Sequence, residues 1–194
     1  MIQVFGTKPP GAIWLGDQPY AVRNDCQAGQ WKVGDDDFRG KSLEISIIKI
    51  ARFFGNLGKT QNRFWMQIWF VPAPNCSSLP ANTVCVTYLK TRSLSQFSAK
   101  IAELIGEQEP AEGIFIAGFQ KHSNDLGNYY SVCWDWRERN SDQERDQLNA
   151  IANFLAIGPL LVDPVATRGM IEVDGLSAAE ITQLIQGALT EKVE

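Results

Sequence analysis

Two polar stretches hold the side chains best suited to a charged ligand. Gly55 to Arg63 carries Lys59 and Arg63 and no acid. Lys121 to Gly127 carries Lys121, His122 and Asn124, and Tyr129 comes shortly after it. Cationic groups in loops neutralise phosphates and release condensed counterions. Large rings stand nearby: Trp65 and Trp69 share one face of the run Phe64 to Val71, with Phe64 and Met66 on the other. Rings presented by a strand stack bases, each worth about 1–3 kcal/mol, without reading sequence. The candidate nucleic-acid-binding residues are therefore Lys59, Arg63, Trp65, Trp69, Lys121, His122, Asn124 and Tyr129. A competing account makes the two tryptophans core, covered by the N-terminal arm or a C-terminal helix, and the loop cations ordinary solvated charges.

Catalytic chemistry has less material. Gly58-Lys59-Thr60 resembles the end of a phosphate loop, but Phe53 stands where its first glycine belongs and no helix follows. His122 is the only histidine, and no neighbouring pattern supplies a nucleophile or an orienting acid. The cysteines Cys26, Cys76, Cys85 and Cys133 form no C-x-x-C pair, and read as small buried hydrophobes kept reduced. Asp35-Asp36-Asp37-Phe38-Arg39-Gly40 fails as a calcium loop, because Arg39 and Ser46 stand at ligand positions. A non-enzymatic chain without metal or cofactor is expected.

Composition agrees with a binder and does not select one. Hydrophobic residues make up 44% of the chain, enough for a core. No apolar run approaches a bilayer span, and the first ten residues lack a signal-peptide pattern, so a cytoplasmic protein is expected. The net charge of −4 is uneven: Lys41 to Arg139 is net basic, and Asn140 to Glu194 is net acidic.

Strands and turns must place these side chains. Residues 1–40, rich in Gly, Pro and Asp, read as an extended arm with short strands near Ile13-Trp14-Leu15 and Trp31-Lys32-Val33. Leu43 to Phe54 changes its apolar phase at Ile47-Ile48, which predicts one long strand with a bulge. Phe64 to Val71 and Thr83 to Leu89 follow as strands. Ser93-Leu94-Ser95-Gln96 matches a capping box and opens a helix that Gly106 ends. Ile114 to Phe119 and Asn128 to Trp136 form a hairpin with Tyr130, Val132, Trp134 and Trp136 on its buried face. Further boxes at Ser141 and Ser177 predict two C-terminal helices, with a short strand near Met170 to Val173 between them.

The body, residues 41–139, thus reads β-β-β-α-β-β, the order of a five-stranded OB-fold barrel. An open antiparallel α+β sheet with helices on one face is the alternative. By element order, aromatic strands and basic hairpin loops, residues 41–139 resemble the OB-fold single-stranded DNA-binding proteins of bacteria, phages and plasmids. The helical 140–194 extension replaces the flexible Gly/Gln/Pro-rich tail of the usual bacterial type. The resemblance implies a ligand face on strands two and three and the loops after strands one and four. Single-stranded nucleic acid, DNA first, is the expected partner. The second reading is an adaptor that associates through Ile181, Leu184, Ile185 and Leu189 of its last helix.

Overall fold

The computed structural model describes residues 11–125, 127–157 and 162–190. The first ten residues of the arm therefore lie outside the described ones. The arm supplies β1 (Tyr20–Ala21), β2 (Arg23–Asp25), β3 (Gln30–Val33) and β4 (Asp37–Phe38). The body supplies β5 (Leu43–Leu57), β6 (Thr60–Pro72), β7 (Cys85–Lys90), α1 (Thr91–Leu104), β8 (Ile114–Asn124) and β9 (Gly127–Arg137). The remainder supplies α2 (Asp142–Ile157), β10 (Ile171–Glu172) and α3 (Ala178–Thr190). The fold is mixed α/β, about 42% strand and 27% helix, so strand outweighs helix as expected.

The main sheet runs β1-β7-β6-β5-β8-β9, with β10 also on β5. β2, β3 and β4 make a separate small sheet. The long first body strand has its register shift between Ile47 and Lys49, where the apolar phase changes. The sheet is open and closes no barrel. The arm shows why. β1 runs parallel to β7, and the Val22 N–H donates to the Val86 carbonyl at 2.9 Å. On the far side the Tyr130 N–H of β9 donates to the Cys26 carbonyl at 2.7 Å. Trp31, almost fully buried, donates its Nε1–H to the Ala117 carbonyl. Residues 20–31 thus stand between the two strands that a closed barrel would join.

β6 separates two cores, because its alternate residues are apolar on both faces. Met66, Ile68 and Phe70 pack with Leu89, Phe97 and Leu104 near α1, and with Phe115, Trp134 and Trp31. Trp69 and Val71 pack on the other face with Val84, Val86, Ile13 and Ile151 of α2. Helices therefore cover both faces, which corrects the one-faced alternative. Gln147 of α2 fastens this layer by donating to the Pro72 carbonyl and to Asn82 Oδ1, both at 2.9 Å.

The boxes at Ser141 and Ser177 form. The Glu144 N–H donates to Ser141 Oγ, and both the N–H and the hydroxyl of Ser177 donate to Glu180. The box at Ser93 does not form. α1 begins two residues earlier, and Ser93 Oγ instead accepts the Val132 N–H of β9 at 2.9 Å. Among the described residues no helix is long and apolar enough to cross a membrane, and no cluster of His, Cys, Asp and Glu could hold a metal.

Candidate nucleic-acid interface

Two hairpins carry the candidate cations. In the first, the strands continue to Leu57 and Thr60, so Gly58 and Lys59 form a two-residue turn, with Gly58 at φ +58°. Lys59 is exposed at that tip, and exposed Arg63 lies within β6 opposite Gly55. In the second, β8 runs on to Asn124. Lys121 and His122 are therefore strand residues, not loop residues as expected, paired with Tyr130 and Tyr129. Asn124, exposed, ends that strand opposite Gly127.

The start of α1 connects the hairpins. Lys90 Nζ donates to Thr60 Oγ1 at 2.8 Å beside the first tip. Arg92 Nη1 donates to the Tyr129 hydroxyl at 2.9 Å on the second hairpin. The first turn of α1 contains no acid. None of Lys59, Arg63, Lys90, Arg92 and Lys121 enters an ion pair among the described residues. All but half-buried Lys90 are exposed. Unneutralised positive charge thus stands on both hairpins and at the start of α1, with Lys121 on the face of β8 opposite His122. Lys90 and Arg92 are the members that sequence reading missed; they sit in Leu89-Lys90-Thr91-Arg92, a stretch without acids.

His122 and Tyr129 face each other across the strands, ring centroids 5.2 Å apart and planes inclined by 34°. His122 Nε2 lies 2.7 Å from Ser131 Oγ, and Ser131 gives its own proton to Gln96 Oε1 at 2.6 Å. That assignment makes Nε2–H the donor to Ser131. A base for a serine nucleophile would have to accept that proton instead. Ser131 is also only 2% exposed, so the pair ties His122 through Ser131 to Gln96 of α1. Partial burial, together with the Arg92 cation, holds the His122 pKa below the usual histidine value of 6.5.

Trp65 and Trp69 do not join this surface. Trp69 is 0% exposed: its Nε1–H is held by Gln67 Oε1 at 2.6 Å, and Ile151 packs in the same core. Trp65 is 5% exposed, with its Nε1–H on the Gly55 carbonyl and the Lys90 ammonium 5.4 Å from its ring. Neither ring offers an open face to a base, so both leave the stacking set. The exposed ring on this hairpin is Phe64, packed 5.1 Å from Phe54. At the C-terminus, α3 folds back on β6, where Asn62 donates to the Ala188 carbonyl at 3.2 Å. Ile181, Leu184 and Ile185 are half-buried there, and the side chain of Leu189 lies outside the described ones. Comparison with protein-family models, with curated proteins and with solved structures finds no match.

Proposed function

We propose that the chain binds single-stranded nucleic acid without catalysis. The phosphates lie along Lys59, Arg63, Lys90, Arg92 and Lys121, and a base lies against the Tyr129–His122 pair. The observation that carries this reading is the Arg92–Tyr129 contact, which holds a cation and an aromatic ring side by side. A strand needs that combination, with charge for its backbone and a flat face for its bases. The strand order β7-β6-β5-β8-β9, with α1 between β7 and β8, supports an OB-type body. In this reading the barrel is held open by the arm. The outer face of β6, covered by α2, is not the ligand face. Contact runs along the hairpin tips and the start of α1.

The test is a fluorescence-anisotropy titration of labelled oligothymidylate at several salt concentrations. Engagement of three to five phosphates gives a slope of log K against log salt of about −2 to −3.5. Absence of binding at low salt by the folded chain sinks the reading.

A further inference from the structure

We infer that the free edge of β5 takes an extended, basic and apolar peptide segment of a partner protein as an added strand. β5 is paired with β6 along its length, but only in two places on its other side. β8 covers Leu43 to Ile45, and β10 covers Phe53 and Phe54. No described strand lies against β5 between them. The Arg52 N–H donates to Asp174 Oδ2, and its carbonyl accepts the Val173 N–H, so the Arg52 backbone faces this side. Backbone polar groups alternate along a strand. The N–H and carbonyl of Ile50 therefore point into the gap.

An apolar groove of about 370 Å³ adjoins the gap, lined by Ile47, Ile50, Ile101, Ile105, Pro110 and Phe115 among others. Ile50 is 40% exposed and Ile105 65%. An unpaired edge beside an apolar groove is what strand addition requires. Main-chain bonds supply affinity, and alternate side chains enter the groove.

The shape selects the occupant. β8 and the one-turn helix Pro110–Glu112, which lies against β5, close one end of the gap and β10 the other, so the edge is recessed in a notch. A second copy would bring the same recessed edge, and two notches cannot meet edge to edge. One isolated strand of roughly four residues fits. Charge selects its composition. Glu109 lines the groove, Glu107 and Glu112 are exposed on the same connector, and none of the three is ion-paired among the described residues, although Arg139 and Arg145 share a neighbouring cleft with Glu109 and Glu112. Lys49, the one cation of the lining, lies 5.9 Å from the Trp69 ring. Lysine or arginine flanking branched apolar residues complements this rim.

The probe is a fluorescein-labelled heptapeptide of alternating lysine and valine, titrated into the full chain. Saturable binding is expected, weakened at least about tenfold when every peptide nitrogen is methylated or every lysine becomes glutamate. Ile50→Asp and Ile105→Asp each weaken it by about tenfold or more, with the thermal transition retained. The Ile50 amide exchanges more slowly in the complex. Three results overturn the proposal: no saturation up to about 1 mM, equal binding of the methylated or acidic peptide, or no effect of both variants. A dimer in sedimentation that Ile50→Asp splits would place a second copy in the notch, and overturns it too. Oligonucleotide affinity is the same in both variants, so this proposal and the nucleic-acid reading fail separately.

Discussion

The Arg92 guanidinium holds the Tyr129 hydroxyl at 2.9 Å and so joins the first turn of α1 to the hairpin-turn end of β9. Ring and hydroxyl have separable roles in this contact. Tyr129→Phe keeps the ring and is expected to change oligonucleotide affinity less than threefold or so, whereas Tyr129→Ala loses about 1–3 kcal/mol. Arg92→Ala weakens binding to every sequence alike and flattens the salt slope by about 0.7. Anisotropy titrations at several salt concentrations measure both effects. A flat response to Tyr129→Ala removes base stacking from the interface.

In the proposed interface His122 is expected to bring a dependence on pH. Its folded pKa lies below the usual 6.5, through partial burial and the Arg92 charge. At neutral pH it is therefore uncharged, and acidification adds a positive charge beside Arg92. A polyanion favours the charged form. Oligonucleotide affinity is expected to rise as pH falls from about 7.5 to about 5.5, and His122→Gln to remove that rise. Folding responds with the opposite sign. The stability from neutral His122 is full above pH 6.5 and is lost as pH falls through the unfolded value toward the folded one. Titration and thermal melts on the same buffers separate the two.

Local signals were legible where local chemistry decides. The change of apolar phase at Ile47-Ile48 marked the register shift in β5, and the boxes at Ser141 and Ser177 marked the starts of α2 and α3. The buried face through Val132 and Trp134 followed from alternation alone. Features set by distant partners were not legible. Lys121 and His122 look like turn residues, yet cross-strand pairing with Tyr130 and Tyr129 carries the ladder through them. Ser93 looks like a cap, yet β7 runs directly into α1 and leaves Ser93 to bind β9. The open sheet depends on Val22, Cys26 and Trp31 reaching strands some sixty or more residues away.

Burial assigns Trp69 to stability instead of binding. Trp69→Phe removes the bond to Gln67 and shrinks a side chain enclosed between β7 and α2. The expected loss is about 1–3 kcal/mol of folding free energy, with oligonucleotide affinity unchanged. Urea unfolding and a titration on the same variant check both halves. A loss of affinity without a loss of stability contradicts the buried assignment.

Glu144 ties α2 to the end of β9. Its carboxylate accepts from both terminal nitrogens of Arg137, at 2.7 and 3.1 Å, and from the Asn140 N–H at 2.9 Å. Arg137 also holds Glu44 of β5. The Arg137 contact, helped by the Asn140 backbone bond, lowers the Glu144 pKa from its usual 4.5. The stability this carboxylate supplies is thus full above pH 4.5 and is lost as pH falls through the lower folded value. Glu144→Gln is expected to destabilise by about 2–4 kcal/mol, since Arg137 is left half-buried with one partner fewer. The variant also loses part of the acid-induced decline, which melts between about pH 3 and pH 6 would record.

Gly113 fixes where β8 can begin. A Cβ built there would lie 2.2 Å from the Trp136 ring, closer than any real contact allows. The ring cannot swing aside freely, because its Nε1–H is bonded to the Pro110 carbonyl at 3.1 Å. The Gly113 carbonyl also accepts from Arg139, whose guanidinium reaches Ser46 Oγ on β5 as well. Moving this backbone therefore disturbs two further contacts. Gly113→Ala is expected to destabilise by about 1–3 kcal/mol, the range for overpacking a filled site. Trp136→Phe in the same chain shortens the ring, so the double variant should recover part of what Gly113→Ala loses. A double variant whose loss is the sum of the two single losses rules out the clash with Trp136 as the cause.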